Sequence, residues 1–354
     1  MNKKRILYIM GIDWEWIYQR PQIIAEKLSK DYEVTVVFPR NVIVRNKKLP
    51  NVEGIDFRIL WTLPFQEKNA LLGKLCMKHS QRIFRDIDSF DCIYVGYPLY
   101  ARYIPAEYRG KIIYDCMDNH EMLYPDQKRV HKVVKQESEL IEKCDLLLVS
   151  AGKLKEKADR IAGYEKSKLL RNGTEINHIF EIKETQQKEK YSLGYFGTIA
   201  KWFDYETLKV SLDKIEKIEY QLIGPAIDKV DKQGIIYHGP VSKSALGEMV
   251  KDCDCLVMPF QVNEIVSYVD PVKLYEYIAM GKCIVSVYYP EIERFKDFVY
   301  FYKDREEYVR LLQELVEKGF PVKYTKMQQE EFLRENSWDE RYREIRKMMA
   351  EMNM

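Results

Sequence analysis

The segment Asp270-Pro271-Val272-Lys273-Leu274-Tyr275-Glu276 places an ammonium and a carboxylate three residues apart, at the head of an apolar stretch that ends at Gly281. On a helix that spacing puts Lys273 and Glu276 on one face. The apolar run 255–260 comes before it, followed by a polar loop. A strand, a loop and a helix N-terminus in that order make an anion site, because the first backbone N–H groups point outward. Lys273 then meets a phosphate, and Glu276 accepts hydrogen bonds from sugar hydroxyls. The same spacing also describes an amphipathic helix with Lys and Glu in water.

Three further stretches follow apolar runs directly. Gly11-Ile12-Asp13-Trp14-Glu15-Trp16 comes first, with Gln19-Arg20-Pro21-Gln22 close behind. Gly11 permits a tight turn, Asp13 can take a proton from an attacking hydroxyl, and the Trp rings can stack on a sugar face or an apolar acceptor. Alternatively, Trp14 and Trp16 pack the loop and Asp13 caps the next helix. In Asp115-Cys116-Met117-Asp118-Asn119-His120, two carboxylates and a histidine can supply a general base and its orienting partner, with Asp118 preferred as the base. Plain turn chemistry is the other reading. Gly197-Thr198-Ile199-Ala200-Lys201 combines a glycine that lets a phosphate approach with a cation beside it. No Walker sequence and no G-x-G-x-x-G fingerprint occurs. Gly224-Pro225 and Gly239-Pro240 read as turn punctuation.

Short apolar strands alternate with helical segments throughout, which predicts parallel sheets covered on both faces. Strands are expected at 5–11, 33–38, 92–96, 111–115 and 146–150, with helices at 20–29 and 126–143. A second series begins beyond the charged, Gln-rich stretch 181–190. It comprises strands at 193–196, 220–223, 235–237, 255–260 and 283–287, and helices at 205–212, 244–250 and from Lys273. The fold class is therefore α/β, with two doubly wound Rossmann-like domains facing a cleft. Expected domains are 1–175, with the terminal helix 337–354 packing back on it, and 176–336. Ligands in such sheets bind at the carboxyl ends of strands.

At 354 residues, two cores are the natural division. A net charge of +2, with basic residues scattered among acidic ones, disfavours nucleic acid as the partner. Basic stretches at 45–48 and 74–85 are the exceptions; the second reads as an amphipathic helix suited to an anionic membrane or simply to water. Seven Cys without metal-like spacing, and no signal-peptide pattern, suggest a reducing, cytoplasmic compartment, with contact at the inner membrane face an option.

Taken together, these residues resemble a GT-B glycosyltransferase of the large group called family 4 or group 1. Trp16 with Gln19-Arg20-Pro21-Gln22 is similar to bacterial surface-polysaccharide transferases of the teichuronic-acid type. Asn172-Gly173-Thr174 with Phe180, Tyr195-Phe196-Gly197 with Trp202 and Asp204, Leu222-Ile223-Gly224-Pro225, and residues 271–277 complete the resemblance. It implies a nucleotide diphosphate sugar as donor and a lipid-linked or growing surface glycan as acceptor, with no metal or other cofactor. By resemblance the donor is held by Gly197, Thr198, Lys201, Asp270, Lys273, Leu274 and Glu276. Trp14, Trp16 and Arg20 are the acceptor set; Asp13, Asp118 and His120 are the catalytic set. The family's retaining members carry a Glu eight positions before the one matching Glu276; here that position is Tyr268, and Glu264 lies off the spacing. The departure leaves open the stereochemistry, a non-catalytic partner subunit, and a sugar-nucleotide epimerase of the same fold.

Overall fold

The computed structural model describes residues 3–44, 48–64, 66, 69–175, 180–182 and 184–354. Most of the basic stretch 45–48 and residues 176–179, at the expected domain junction, lie outside the described residues. The chain forms two compact units, residues 1–172 with 338–354, and residues 173–337.

In the first unit, β1 (Arg5–Ile9), β2 (Glu33–Asn41), β3 (Ile55–Thr62), β4 (Cys92–Val95), β5 (Lys111–Cys116), β6 (Leu146–Val149) and β7 (Ser167–Leu169) form one sheet. Its order is β3-β2-β1-β4-β5-β6-β7, with every pairing parallel. Helices α1 (Arg20–Ser29), α2 (Ala70–Ile83), α3 (Gln127–Lys143) and α4 (Gly152–Ala162) make crossovers. Strand β4 and, after Arg5, strand β1 are apolar and buried, as a two-sided parallel sheet requires. The order reverses between β1 and β4, so the chain ends following those strands flank the topological switch point.

The second unit repeats the plan. Strands β8 (Tyr191–Phe196), β9 (Ile218–Ile223), β10 (Ile235–Gly239), β11 (Cys255–Met258), β12 (Cys283–Val287) and β13 (Tyr300–Tyr302) lie in the order β10-β9-β8-β11-β12-β13, all parallel. Helices α5 (Tyr205–Lys214), α6 (Lys243–Lys251), α7 (Val272–Ala279), α8 (Arg305–Lys318) and α9 (Lys326–Glu335) belong to it. Its switch point lies between β8 and β11. Asp204 starts α5 by accepting from the backbone N–H of Glu206 and Thr207, so this residue of the sequence pattern is a helix cap.

The last helix, α10 (Trp338–Glu351), belongs to the first unit. Tyr342, Ile345 and Met349 enter its core beside Ile24 and Leu28, the Tyr342 hydroxyl donates to Asp31 at 2.7 Å, and Lys27 pairs with Asp339.

Candidate active site

At the head of α7, Pro271 occupies the cap position and no side chain caps the helix. The Leu274 N–H turns back to the Pro271 carbonyl at 3.1 Å, no side chain covers the N–H groups of Val272 and Lys273, and the helix dipole adds positive potential there. Gly197 follows β8 with φ of +126°, and a Cβ at that position would lie 2.6 Å from Cε and 2.8 Å from Nζ of Lys273. Gly224, following β9, has φ of +135°, and a Cβ there would fall 2.2 Å from the Gly197 carbonyl oxygen. Two glycines thus bring three backbone segments together around one ammonium group. Sequence reading took Gly224 as turn punctuation; its contact with Gly197 shows why no larger residue fits.

The chain of Lys273 is half-buried, and its ammonium end lies among protein atoms, 5.6 Å from the centre of the Tyr195 ring. It makes no ion pair among the described residues. Burial lowers its pKa from the ordinary lysine value, and the nearby Glu276 carboxylate opposes the shift. A desolvated cation in no ion pair among the described residues, beside the start of a helix that no side chain caps, has the chemistry of an anion site. Glu276 lies half-buried one turn along the same helix. Thr198 is half-buried, and its carbonyl accepts from the Tyr195 hydroxyl at 3.0 Å. Lys201 is exposed on the following turn.

Two residues assigned to the donor differ from expectation. The Asp270 carboxylate is buried, pairs with Arg294 and accepts from the Tyr275 hydroxyl. It anchors the start of α7 from inside and presents no group to a ligand. Leu274 is fully buried in the apolar core, so only its backbone faces the helix start.

In the first unit the strand ends gather a second cluster. A Cβ on Gly11 would meet Cβ of Tyr97 at 2.8 Å, and the Tyr97 ring stands edge-on to His120 at 5.4 Å. His120 is 4% exposed, yet neither ring nitrogen has a hydrogen-bond partner among the described residues. Desolvation lowers its pKa below the ordinary histidine value; the carboxylates of Glu137 and Asp118 oppose this, while Lys157 reinforces it. A buried imidazole with unspent nitrogens is unfavourable unless a ligand or water completes it. Asp118 is exposed beside it.

The loop that carries these residues is held from behind. Lys157 donates to the Asn119 side chain at 2.6 Å and pairs with Glu137 at 3.3 Å and Glu121 at 3.5 Å. Buried Glu137 also accepts from the Tyr114 hydroxyl at 2.7 Å. Sequence reading missed Tyr97, Glu137 and Lys157. A Glu on the inward face of α3, among Val133, Leu140 and Ile141, was the available signal.

Of the remaining first-unit residues, Arg20, Asp13 and Trp14 are held within the fold. Arg20 is not at the surface: it is 4% exposed, and its guanidinium grips Asp115 at 2.7 and 3.0 Å while donating to the Leu170 carbonyl at 2.8 Å. The Tyr94 hydroxyl donates to the same carboxylate. This network ties α1 to the end of β5 and offers no free donor to an acceptor. Both Asp13 oxygens are engaged by Arg40, each at 2.7 Å, which fastens the loop instead of leaving an open base. Trp14 is buried edge-on against Phe57, whereas Trp16, Ile17 and Tyr18 are exposed.

No family model matches the chain. A Bacillus subtilis (strain 168) protein named "Putative teichuronic acid biosynthesis glycosyltransferase TuaH" is 24% identical over 284 residues, covering 73% of this chain and 67% of that protein. The sucrose-phosphate synthase of Thermosynechococcus elongatus superposes with a TM-score of 0.75 at 10% identity, over 99% of both chains. HepE of Anabaena, solved with UDP and glucose, gives 0.70 at 14% identity over 98% of this chain and 100% of that one. The lipopolysaccharide outer core galactosyltransferase WaaB gives 0.68 at 13% identity over 98% and 99% of the two chains. Along its length the chain has the fold of these glycosyltransferases, and over most of its length its sequence is similar to a protein named as one.

Proposed function

We propose that the protein moves a sugar from a nucleotide diphosphate donor to a hydroxyl of a lipid-linked or growing cell-surface glycan. The observation that carries the donor half is the Lys273 ammonium, in no ion pair among the described residues and set against Gly197 at the start of α7, which no side chain caps. In the reaction the bond from the anomeric carbon to the diphosphate oxygen breaks, and a bond to the acceptor oxygen forms. Lys273 and the helix N–H groups stabilise the charge arriving on the leaving diphosphate. That is the task a divalent cation performs elsewhere, so transfer is expected to proceed in a chelator. Glu276 is assigned to the nucleotide ribose, and Lys201 stands close enough in sequence to reinforce the phosphate charge.

On the acceptor side we assign Asp118 and His120. With inversion, the acceptor proton passes to Asp118; with retention, it passes to the leaving diphosphate. Asp13, spent on Arg40, is the weaker assignment. TuaH is named for teichuronic acid biosynthesis, and WaaB for the lipopolysaccharide outer core, which favours a surface glycan as acceptor. Contact with the inner membrane face is supported by α2, which exposes Leu71, Leu75 and Met77 among Lys74, Lys78 and Arg82. Among the described residues no helix is long and apolar enough to cross a membrane.

A thermal-shift panel with UDP, GDP, dTDP and CMP in EDTA tests the reading. A ligand that binds only the native state raises the melting temperature by mass action. One diphosphate is expected to do so, with the shift lost in Glu276→Ala. No shift with any of them would favour a non-catalytic partner subunit, the second reading, for which Tyr268 at the family's acidic position is the specific observation. Conversion of the donor without acceptor would instead mark an epimerase.

A further inference from the structure

The first unit carries a cavity of about 760 Å³ that none of the catalytic or donor assignments uses. It lies between the end of β3, one face of α2 and the 3-10 turn Pro98–Tyr103. Trp61, Met77, Phe84, Tyr100 and Tyr103 form its walls. Phe84 stacks on Tyr103 at 4.6 Å with planes 18° apart, and Tyr103 faces Tyr100 at 6.0 Å and 23°. These stacks make a flat apolar floor rather than a collapsed core. Three cations, Lys74, Arg102 and Lys132, also line the cavity, and no carboxylate among the described residues does. Lys74 and Lys132 make no ion pair among the described residues, and Arg102 leans on the Tyr103 ring at 4.9 Å. In a chain with 57 basic and 55 acidic residues, three cations in one cavity without an acid among the described lining residues set a charge preference.

The cavity also adjoins the candidate catalytic loop. Tyr100 meets Tyr97 edge-on at 5.2 Å, and Tyr97 meets His120 at 5.4 Å. We infer that this cavity binds the apolar chain of a single-chain anionic amphiphile, a long-chain alkyl or isoprenyl phosphate, with its phosphate held by Lys74, Arg102 and Lys132. The inference rests on the acceptor half of the transfer reading: the chain seats here, and the sugar-bearing head extends from the phosphate along the Tyr100–Tyr97 ridge toward His120. Aromatic walls take up the chain without specifying its length, and the basic rim favours anionic over neutral amphiphiles. The volume falls within the range of pockets that enclose small ligands.

Alkyl phosphates, kept below their critical micelle concentrations, test this by calorimetry on the full chain. Affinity is expected to rise about fourfold per methylene from octyl to dodecyl phosphate, the step that burial of each CH₂ gives. Dodecyl maltoside should bind about tenfold more weakly, as should dodecyl phosphate to the triple Lys74→Gln, Arg102→Gln, Lys132→Gln variant, since each rim cation contributes only modestly. A second readout is built in. Cys76 lines the cavity and is half-buried, whereas the other six cysteines are buried. Dodecyl phosphate should therefore slow the reaction of Cys76 with a thiol reagent, and Cys76→Ser should remove that reaction. Gln81→Trp, at an exposed lining position, should block binding while the melting temperature and the nucleotide response stay unchanged.

Affinity independent of chain length, or full Cys76 reactivity under saturating dodecyl phosphate, would overturn the inference. So would equal binding of Gln81→Trp and the parent to the same amphiphile. Uptake onto anionic vesicles with no binding of free dodecyl phosphate would assign the basic rim to a membrane surface and likewise overturn it. A nucleotide shift without amphiphile binding removes the cavity and keeps the transferase; amphiphile binding without any nucleotide shift does the reverse.

Discussion

Replacing Lys273 with Met separates stability from function. The ammonium sits among protein atoms without an ion pair among the described residues, and burial lowers its pKa. Such a group is held at a cost, since a desolvated charge without a partner opposes folding. Methionine fills similar space without that charge. For a half-buried position with Glu276 nearby, the gain is about 1 kcal/mol, a fraction of the several kcal/mol that a fully buried ion costs. In a unit of this size that raises the melting temperature by roughly 2–4 °C. The same substitution removes a charge-assisted donor from the diphosphate, a loss of about 1.5–3 kcal/mol, or roughly ten- to hundredfold in affinity. Differential scanning fluorimetry without ligand, followed by calorimetry with the nucleotide that binds, gives both numbers. A lower melting temperature would mean that Lys273 has a stabilising partner. Unchanged nucleotide affinity would remove it from the site.

Other perturbations have distinct signatures. Lys157→Met leaves Glu137 buried and charged, and should cost about 3–5 kcal/mol in urea denaturation; Lys157→Met with Glu137→Gln should recover most of it, and a single-variant loss below about 1 kcal/mol would show the pair to be dispensable. Arg20→Met strands Asp115 in the same way and should destabilise by a similar amount; unchanged stability with weakened acceptor use would restore Arg20 to the acceptor site. His120 has a folded pKa below its unfolded value near 6.5, so the unfolded chain binds the extra proton first. Its contribution is intact above pH 6.5 and declines as pH falls from there toward the folded pKa; His120→Gln should flatten that part of the stability profile, and an unaltered profile would contradict the burial argument.

The parts of the fold legible in sequence are those whose residues are buried on both faces. β1, β4, β6 and β11 are short apolar runs, and each is almost wholly buried. β3 was missed because Asp56 and Arg58 interrupt its apolar pattern. It lies at the sheet edge, where the strand pairs on one side only, and Arg58 reaches out to Asp86 at 2.6 Å. α4 was missed because Lys and Glu dominate it and only Leu154 and Ala158 are buried. Its Lys157, which steadies the His120 loop, went with it. Gly197 and Lys273, both singled out from strand-end position and residue chemistry, lie together in the structure. Arg20, Asp13 and Asp270 were not readable, because their partners Asp115, Arg40 and Arg294 are 95, 27 and 24 residues distant. A charged residue after a strand looks functional until the residue that neutralises it is located.

In the proposed function the donor diphosphate occupies the corner made by Gly197, Gly224, Lys273 and the head of α7. A crystal structure of the complex with the nucleotide diphosphate that gives the thermal shift tests it most directly. A β-phosphate oxygen is expected about 2.7–3.2 Å from Lys273 Nζ and from a backbone N–H at the start of α7. A diphosphate bound elsewhere, with Lys273 still against Gly197 and Tyr195, would contradict it.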